Sequence, residues 1–220
     1  AMQVQTPAMR VQTPSRPLAD PCPNDVSCET LDLLATYRQL VLDESAHQNL
    51  IARSTVDVFW TRHIVDSAQL LLHSDGAGGG AWLDLGAGAG MPGIIIAALT
   101  DRPVHLVEER KGRIAFLHRC VAALGLRNAH VHGCKVEALR LAPAAIISAR
   151  AFAPLPKLLK LAHPFSTPDT IWILPKGRSA REEVENVGQT WQGVFHVKQS
   201  ITDAEAAIVV AKSVRKGARP

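Results

Sequence analysis

Helical spacing of apolar residues marks the first part of the chain, through Leu31, Leu34, Tyr37, Val41 and Ile51. Ser54 and Asp57 then resemble a capping box, with Asp in place of Glu, and predict a second helix that ends near Leu72. The glycine-rich stretch 73–80 interrupts this pattern. We therefore predict an N-terminal helical extension over residues 29–75.

From Ala81 onward, seven short β-type runs alternate with helical stretches. The runs lie at 82–86, 104–108, 129–133, 145–149, 170–175, 194–198 and 206–211. The helical stretches lie at 92–99, 111–124, 154–163 and 179–191. This alternation predicts an α/β fold, a doubly wound parallel sheet with right-handed crossovers, over residues 81–212. The loop 199–205 leaves no room for a helix, so the last two runs should form an antiparallel hairpin.

Composition excludes several classes of protein. The 220 residues are 47% apolar, which suits one substantial core. The longest aliphatic run, Ile94–Leu99, is far shorter than the roughly 18 residues of a membrane span, and residues 1–28 contain no apolar signal core. The four cysteines have no CxxC spacing, and the nine histidines do not complete a zinc pattern. We expect a cytoplasmic protein with reduced thiols, without metal or membrane contact.

The ends and the charge distribution add two expectations. Residues 1–28 contain the near-repeats MQVQTPA and MRVQTPS and several prolines, which predicts a flexible tail. The net charge is +4, and no acid occurs over 138–168, where four basic residues do. The stretch 213–220 is also free of acids and is predicted to be a basic tail. Clustered positive charge attracts nucleic acid, although a solvated basic face has the same composition.

The stretch LDLGAGAGMPGIII at 83–96 carries the strongest chemical signal, because four glycines follow the first β-type run. Ligands of doubly wound sheets bind at this edge, and glycine lets a ligand approach the backbone. Residues Gly88–Gly93 match the dinucleotide pattern GxGxxG, so a nicotinamide oxidoreductase is one interpretation.

Two acids near the glycine loop bear on the choice of cofactor, and one of them discriminates. Glu108 ends the second run and could accept hydrogen bonds from ribose hydroxyls, which both NAD and S-adenosylmethionine possess. Asp84 lies two residues before Gly86, where it would repel a pyrophosphate but could accompany the cationic amino-acid end of S-adenosylmethionine. Charge and spacing therefore favour S-adenosylmethionine.

Several motifs occur in an order that resembles a known family. They are NLIARSTVDVFWTRHIVDS (49–67), LDLGAGAGMPGI (83–94), KVE (135–137), ISARAFAPL (147–155) and LPKG (174–177). With these motifs the chain resembles the bacterial 16S rRNA guanine-N7 methyltransferases, also called glucose-inhibited division protein B. The resemblance covers about 37–212.

The resemblance implies a seven-stranded S-adenosylmethionine-dependent methyltransferase fold and methylation of guanine N7 at position 527 of 16S rRNA. It implies that the small ribosomal subunit is the partner. The expected cofactor-binding residues, including those argued above, are Asp84, Gly86, Gly88, Met91, Glu108, Val136, Glu137 and Arg150. The expected catalytic residues are Arg150 and His63, and the expected RNA contacts are Arg62, His63, Phe152 and Lys176.

Guanine N7 carries no proton, so its methylation requires alignment rather than a general base.

Three of these side chains also have a plain structural interpretation. Arg150 could instead form a structural ion pair with Asp84 or Glu137, and His63 could be a core histidine. Lys176 could be a solvated loop residue.

Other functions share this fold, because a fold does not determine a substrate. The alternatives are a methyltransferase acting on another RNA or a small molecule, and a ribosome assembly factor without catalytic turnover. We expect a monomer.

Overall fold

The computed structural model describes residues 26–188 and 190–217. The predicted flexible tail therefore lies almost wholly outside the described residues, as do residues 218–220 of the predicted basic tail. Within the described part of the chain, no helix is both long enough and apolar enough to cross a membrane.

A single seven-stranded sheet forms the centre of the molecule. Its strands are β1 (Trp82–Leu85), β2 (Val104–Glu108), β3 (Ala129–Gly133), β4 (Ile146–Ser148), β5 (Ile171–Lys176), β6 (Trp191–Gln199) and β7 (Ala207–Lys216). Their order is β3-β2-β1-β4-β5-β7-β6. Strands β1 to β5 are parallel, whereas β7 is antiparallel to both of its neighbours. This confirms the predicted fold class and the C-terminal hairpin.

Helices cover both faces of the sheet because the central strands are apolar on both faces. The helices are α1 (Cys28–Ser45), α2 (Asp66–Ala68), α3 (Gly93–Leu99), α4 (Lys111–Ala123), α5 (Leu155–Ala162) and α6 (Ala180–Val187). Side chains of α1, α3 and α4 form one core with Trp82 of β1, and those of α5 and α6 form a second core with its neighbour Leu83. The strand order reverses between β1 and β4, so their carboxyl ends open a crevice for a ligand.

The N-terminal extension is less regular than predicted. Ser27 caps α1 by accepting a hydrogen bond from the N–H of Thr30. A regular helix from Ser54 to Leu72 is wrong, because the chain forms a short 3-10 turn at Arg53–Thr55 and no capping bond at Ser54. A π-helix (Trp60–Val65), α2 and a 3-10 helix (Gln69–His73) follow.

The C-terminal hairpin is longer than predicted. Strand β7 continues to Lys216, so residues 213–216 are strand residues and not part of a basic tail. Lys216 pairs with Trp191 of β6, and the N–H of Ser213 donates to the carbonyl of Pro168. Removing residues 213–220 would therefore shorten the sheet as well as remove charge.

Candidate active site

The glycine loop follows β1 and turns sharply at the ligand edge of the sheet. Gly86 has φ +68° and Gly90 has φ +97°, values that favour glycine. A Cβ atom on Gly86 would lie 2.4 Å from Cδ2 of Phe152, and one on Gly90 would lie 2.5 Å from Ile94. Only glycine therefore fits these two positions. The Phe152 ring leaves no room for a side chain at Gly86, and Ile94 of α3 leaves none at Gly90.

Asp84 braces the loop from behind. Its side chain is fully buried, accepting hydrogen bonds from the N–H of Gly93 (3.0 Å) and from the Ser148 hydroxyl (2.8 Å). Burial raises the pKa of this carboxyl to about 7, opposed by those two hydrogen bonds. Asp84 does not line either of the two cavities that open at this edge of the sheet, so in this structure it supports the loop. Its expected place beside the amino-acid end of the cofactor stays a prediction.

Glu108 holds the loop from the side of β2. One carboxylate oxygen accepts from the N–H of Gly88 (3.0 Å), and the other accepts from the N–H groups of Glu109 and Arg110, both at 2.9 Å. The side chain is buried but borders the crevice. Glu108 could therefore accept hydrogen bonds from ribose hydroxyls only if its oxygens also keep, or give up, the hydrogen bonds from these backbone N–H groups.

A cavity of about 320 Å³ opens beside Gly86 and is the candidate cofactor site. Five of the predicted residues line it: Gly86, Glu108, Val136, Glu137 and Phe152. Its volume lies in the range typical of small-molecule sites. The residues fit S-adenosylmethionine: a carboxylate at the end of β2 suits ribose hydroxyls, and buried Val136 offers an apolar surface to an adenine ring.

Four of the eight predicted cofactor residues do not line this cavity: Asp84, Arg150, Met91 and Gly88. Met91 is buried in the core beneath the loop, so it does not line the site as expected. Gly88 contributes only its N–H bond to Glu108. The sequence does not reveal that Met91 and Gly88 face away from the cavity, because the turn of the loop decides which atoms face the crevice.

A second cavity of about 600 Å³ adjoins the first. The predicted RNA contacts Arg62, Phe152 and Lys176 line it, together with Arg150. The two cavities share the segment Ala151–Ala153. The site is thus a crevice with two compartments, and the predicted cofactor and RNA residues fall largely into different ones.

Arg150 extends from the end of β4 toward the N-terminal extension. Its guanidinium donates to the carbonyl of Arg62 (3.2 Å) and lies 3.6 Å from a carboxylate oxygen of Asp66. Its other terminal nitrogen is buried without a hydrogen-bond partner among the described residues. The suggested ion pairs with Asp84 and Glu137 do not form, and the expected cofactor contact is not seen, since Arg150 lines only the second cavity.

The other three cations of the second cavity are paired, and the most exposed of them, Arg178, pairs with Glu205 over 2.9 Å. Arg62 donates to Asp203 over 2.6 Å, at the hairpin turn. Lys176 donates to Glu183 over 2.8 Å and to the carbonyl of Ala153 over 3.1 Å, and its side chain is only 10% exposed. Lys176 is therefore neither a solvated loop residue nor an unpaired cation offered to a phosphate.

His63 is a core histidine rather than a residue of the crevice. It is buried, its Nε2 lies 2.9 Å from the Thr55 hydroxyl, and its ring meets the edge of Phe59. Burial, with the nearby charges of Arg150 and Arg62, lowers the pKa of His63 to about 4. It lines neither cavity, so its expected catalytic and RNA-contact roles lack direct support in the geometry.

Four residues that hold the site in place were missed from the sequence as functional residues: Tyr37, Asp66, Glu183 and Asp203. The Tyr37 hydroxyl donates to the carbonyl of Ala89 in the glycine loop (2.7 Å), and the three acids pair with Arg150, Lys176 and Arg62 of the second cavity. Helical spacing indicated that Tyr37 is buried, but nothing in the sequence indicates its partner. Among the residues that the structure describes, no cluster of side chains is suited to hold a metal ion.

Two solved methyltransferases share the fold of this chain. The glycopeptide N-methyltransferase MtfA complexed with sinefungin aligns with a TM-score of 0.58 at 12% identity, covering 68% of this chain and 93% of its own. A SAM-dependent methyltransferase from Aquifex aeolicus aligns with a TM-score of 0.57 at 16% identity, covering 78% and 98%. The sheet topology is that of the S-adenosylmethionine-dependent methyltransferase fold, and the glycine loop and the acid after β2 lie at its ligand edge.

Sequence relatives narrow the class to a family. The chain belongs to the family of rRNA small subunit methyltransferase G, whose model matches residues 30–209. The relative from Novosphingobium aromaticivorans named ribosomal RNA small subunit methyltransferase G is 50% identical over 185 residues, 83% of this chain and 80% of that protein. The protein of that name from Zymomonas mobilis is 46% identical over 196 residues, 86% and 88% of the two chains. The nicotinamide interpretation of the glycine loop is thereby set aside.

Proposed function

We propose that this protein methylates N7 of the guanine at position 527 of 16S rRNA, using S-adenosylmethionine as the methyl donor. The observation that carries the proposal is the pair of adjoining cavities. One is bordered by the glycine loop and Glu108, and the other by Arg62 and Arg150. The family relationship supports the small-subunit rRNA as the substrate.

The geometry suits a reaction that needs alignment. Bound S-adenosylmethionine supplies an electrophilic methyl carbon, which the N7 lone pair takes while the electrons of the carbon–sulfur bond pass to sulfur. N7 has no proton to lose, so the residues of the crevice need only orient the base and exclude water. His63, buried and neutral outside both cavities, is not needed as a base in this mechanism.

Arg150 is the residue that we assign to the base. A forked contact to guanine O6 and N7 is common in nucleic-acid recognition, but it would block the nitrogen that reacts. The buried, unpartnered nitrogen of Arg150 leaves one donor for O6 or for a phosphate of the target nucleotide. Asp66 and the Arg62 carbonyl hold the guanidinium in this orientation.

The test is methyl transfer from radiolabelled S-adenosylmethionine to small subunits from cells that lack this protein, followed by cleavage mapping of 7-methylguanine. We expect label at guanine 527 and none in subunits whose rRNA carries adenine there. Label elsewhere in the RNA would contradict the position, and binding without label would favour the assembly factor.

The substitution Arg150→Ala separates the contribution of the second cavity to the reaction from that of the first cavity to cofactor binding. It should lower the transfer rate at saturating cofactor by at least roughly tenfold, because a positioned charge is removed. Its affinity for S-adenosylmethionine should not fall by more than about twofold, since Arg150 does not line the first cavity. Arg127→Gln is the control, because Arg127 is exposed next to the start of β3, at the opposite edge of the sheet.

We also propose that the protein acts in the cytoplasm as a monomer, since both cavities are built from one chain. Sedimentation with and without small subunits tests this: a stable dimer of the free protein would contradict it. Comparing naked 16S rRNA with assembled subunits in the same transfer assay would identify the form of the substrate.

A further inference from the structure

Phe152 lies where the two cavities meet. It is half-buried and sits in the middle of Ala151–Ala153, the segment that lines both cavities. Its ring covers the first residue of the glycine loop: a Cβ on Gly86 would lie 2.4 Å from Cδ2 and 3.3 Å from Cγ and Cε2. No ligand atom can occupy the space directly over Gly86 while the ring is there.

This position conflicts with methyl transfer. The reaction requires the methyl carbon and its acceptor to approach to about 3–3.5 Å, with the two compartments in direct contact. A phenyl ring over Gly86, at the shared wall of the two compartments, obstructs that approach. The ring must therefore leave this place before the reaction.

The segment around Phe152 is fixed at its ends and weakly held between them. Arg150 anchors one end through the Arg62 carbonyl, and Lys176 anchors the other through the Ala153 carbonyl. The N–H groups of Ala151 and Phe152 form no hydrogen bond to another described residue. Ala151 has φ +49°, which is unfavourable for a residue with a side chain.

We infer that Phe152 is a positioning residue that covers Gly86 in the free protein and is displaced by the cofactor into the second cavity, where its ring face receives the target base. The displacement turns about Ala151, whose positive φ is relieved, while the anchors at Arg150 and Ala153 remain. Cofactor binding thus completes the base-binding site. The part that concerns the base rests on the proposed function, whereas the part that concerns Gly86 does not.

This arrangement lowers the apparent affinity for the cofactor by the fraction of molecules in which Gly86 is uncovered. Truncating the ring removes that penalty, so affinity should rise. Removal of a merely structural side chain would weaken cofactor binding or leave it unchanged. The sign of the change therefore separates the two roles.

Calorimetry with S-adenosylmethionine and the full chain tests the inference. Phe152→Ala should bind roughly three- to tenfold more tightly than the wild type, which corresponds to an uncovered fraction of about a tenth to a third. Phe152→Leu should gain less, and Phe152→Tyr, which keeps the ring, should resemble the wild type. Phe195→Ala is the matched control, because Phe195 is a partly buried phenylalanine of β6 that lines neither cavity.

Urea unfolding of each variant shows which ones fold. If Phe152→Ala does not unfold cooperatively, Phe152→Leu decides the sign in its place. An affinity of the folded variants equal to or weaker than that of the wild type would overturn the inference.

Affinity for small subunits supplies a second readout. With the wild type, S-adenosylhomocysteine should tighten subunit binding, and subunits should tighten its binding by the same factor. Phe152→Ala should lose this coupling and transfer methyl groups more slowly, whereas Phe152→Tyr should keep both. A coupling that persists in Phe152→Ala would contradict the base-binding part. If no variant methylates subunits, the proposed function fails, and calorimetry still decides whether Phe152 covers Gly86.

Discussion

Asp84 and Glu108 show how buried carboxylates shape the glycine loop. Together they accept five hydrogen bonds, four from backbone N–H groups and one from the Ser148 hydroxyl. Buried acids are stable only when such donors surround them. The conformation of the loop therefore depends on two side chains that the sequence suggests as ligands for a cofactor.

The pH dependence of stability tests the role of Asp84. Burial raises the pKa of Asp84 from 3.8 to about 7, so the folded protein keeps a proton that the unfolded chain releases between these values. The contribution of Asp84 to stability is therefore full below about pH 4 and is lost as the pH rises through 7. Asp84→Asn should remove this dependence.

Urea unfolding at several pH values measures this contribution. Between about pH 5 and 6.5, the free energy of unfolding of the wild type relative to Asp84→Asn should fall by about 1.4 kcal/mol per pH unit. A constant difference over this range would show that Asp84 is ionised throughout.

His63 gives a second prediction from protonation. Because the pKa of His63 is lowered to about 4, its ring is neutral from pH 6 to 9. His63→Gln should therefore add or remove no inflection in the single-turnover rate over this range, even if the rate itself falls. An inflection near pH 6.5 that is lost in the variant would make His63 a titrating catalytic group.

Single residues of the site were predictable only in part. Gly86 and Glu108 were predicted from their positions at strand ends and Val136 from the family resemblance, and all three line the first cavity. Asp84 and Met91 lie within a few residues of Gly86 but are buried behind the loop, because the backbone turns between β1 and α3. Sequence position locates the crevice, whereas backbone turns decide which side chains enter it.

At the scale of elements, α1 is the helix that supports the active site from outside the sheet. Tyr37, in the middle of α1, is fully buried and donates to the Ala89 carbonyl of the glycine loop. The N-terminal extension is therefore structurally part of the cofactor site. Its second half was predicted poorly, because apolar spacing does not distinguish π, α and 3-10 hydrogen bonding.

Tyr37→Phe should separate this hydrogen bond from packing. The variant leaves a buried carbonyl without its donor, so the free energy of unfolding should fall by about 1–3 kcal/mol, and S-adenosylmethionine should bind less tightly. Thr36→Val removes a hydroxyl from the exposed face of the same helix and should change neither quantity much. Equal effects of the two substitutions in urea unfolding and calorimetry would exclude the support that we assign to Tyr37.

The predicted strands agree with the structure better than the extension does. Strands β1 to β5 lie within one residue of their predicted limits. The runs of β1, β2, β4 and β5 are mostly buried and stand out in the sequence, whereas the edge strand β3 is largely exposed. The hairpin strands extend three to five residues beyond prediction at their outer ends, where β6 is partly exposed and carries polar residues. The pairing of β6 with β7, rather than the apolar content of these strands, determines how far they extend.

At the scale of the molecule, positive charge should contribute to the affinity for RNA. The exposed Lys157 and Lys160 lie on α5, and Lys157 borders the first cavity. Neutralising both to Gln should reduce the slope of log K against log salt by roughly 0.7–0.9 for each RNA phosphate that the protein no longer neutralises. Binding titrations at four salt concentrations measure the slope, with Arg127→Gln as the control. A slope equal to that of the wild type would assign RNA binding to other residues.

The position of β7 has a consequence for synthesis of the chain. It is made after the other six strands of the sheet, yet it lies between β5 and β6. Until residues 207–216 have left the exit tunnel, one edge of β5 presents unpaired backbone groups beside the apolar Trp172 and Ile173. A nascent chain that stalls before this point carries an open edge prone to aggregate. Emergence of β7, rather than collapse of the first five strands, is the event that closes this edge of the sheet.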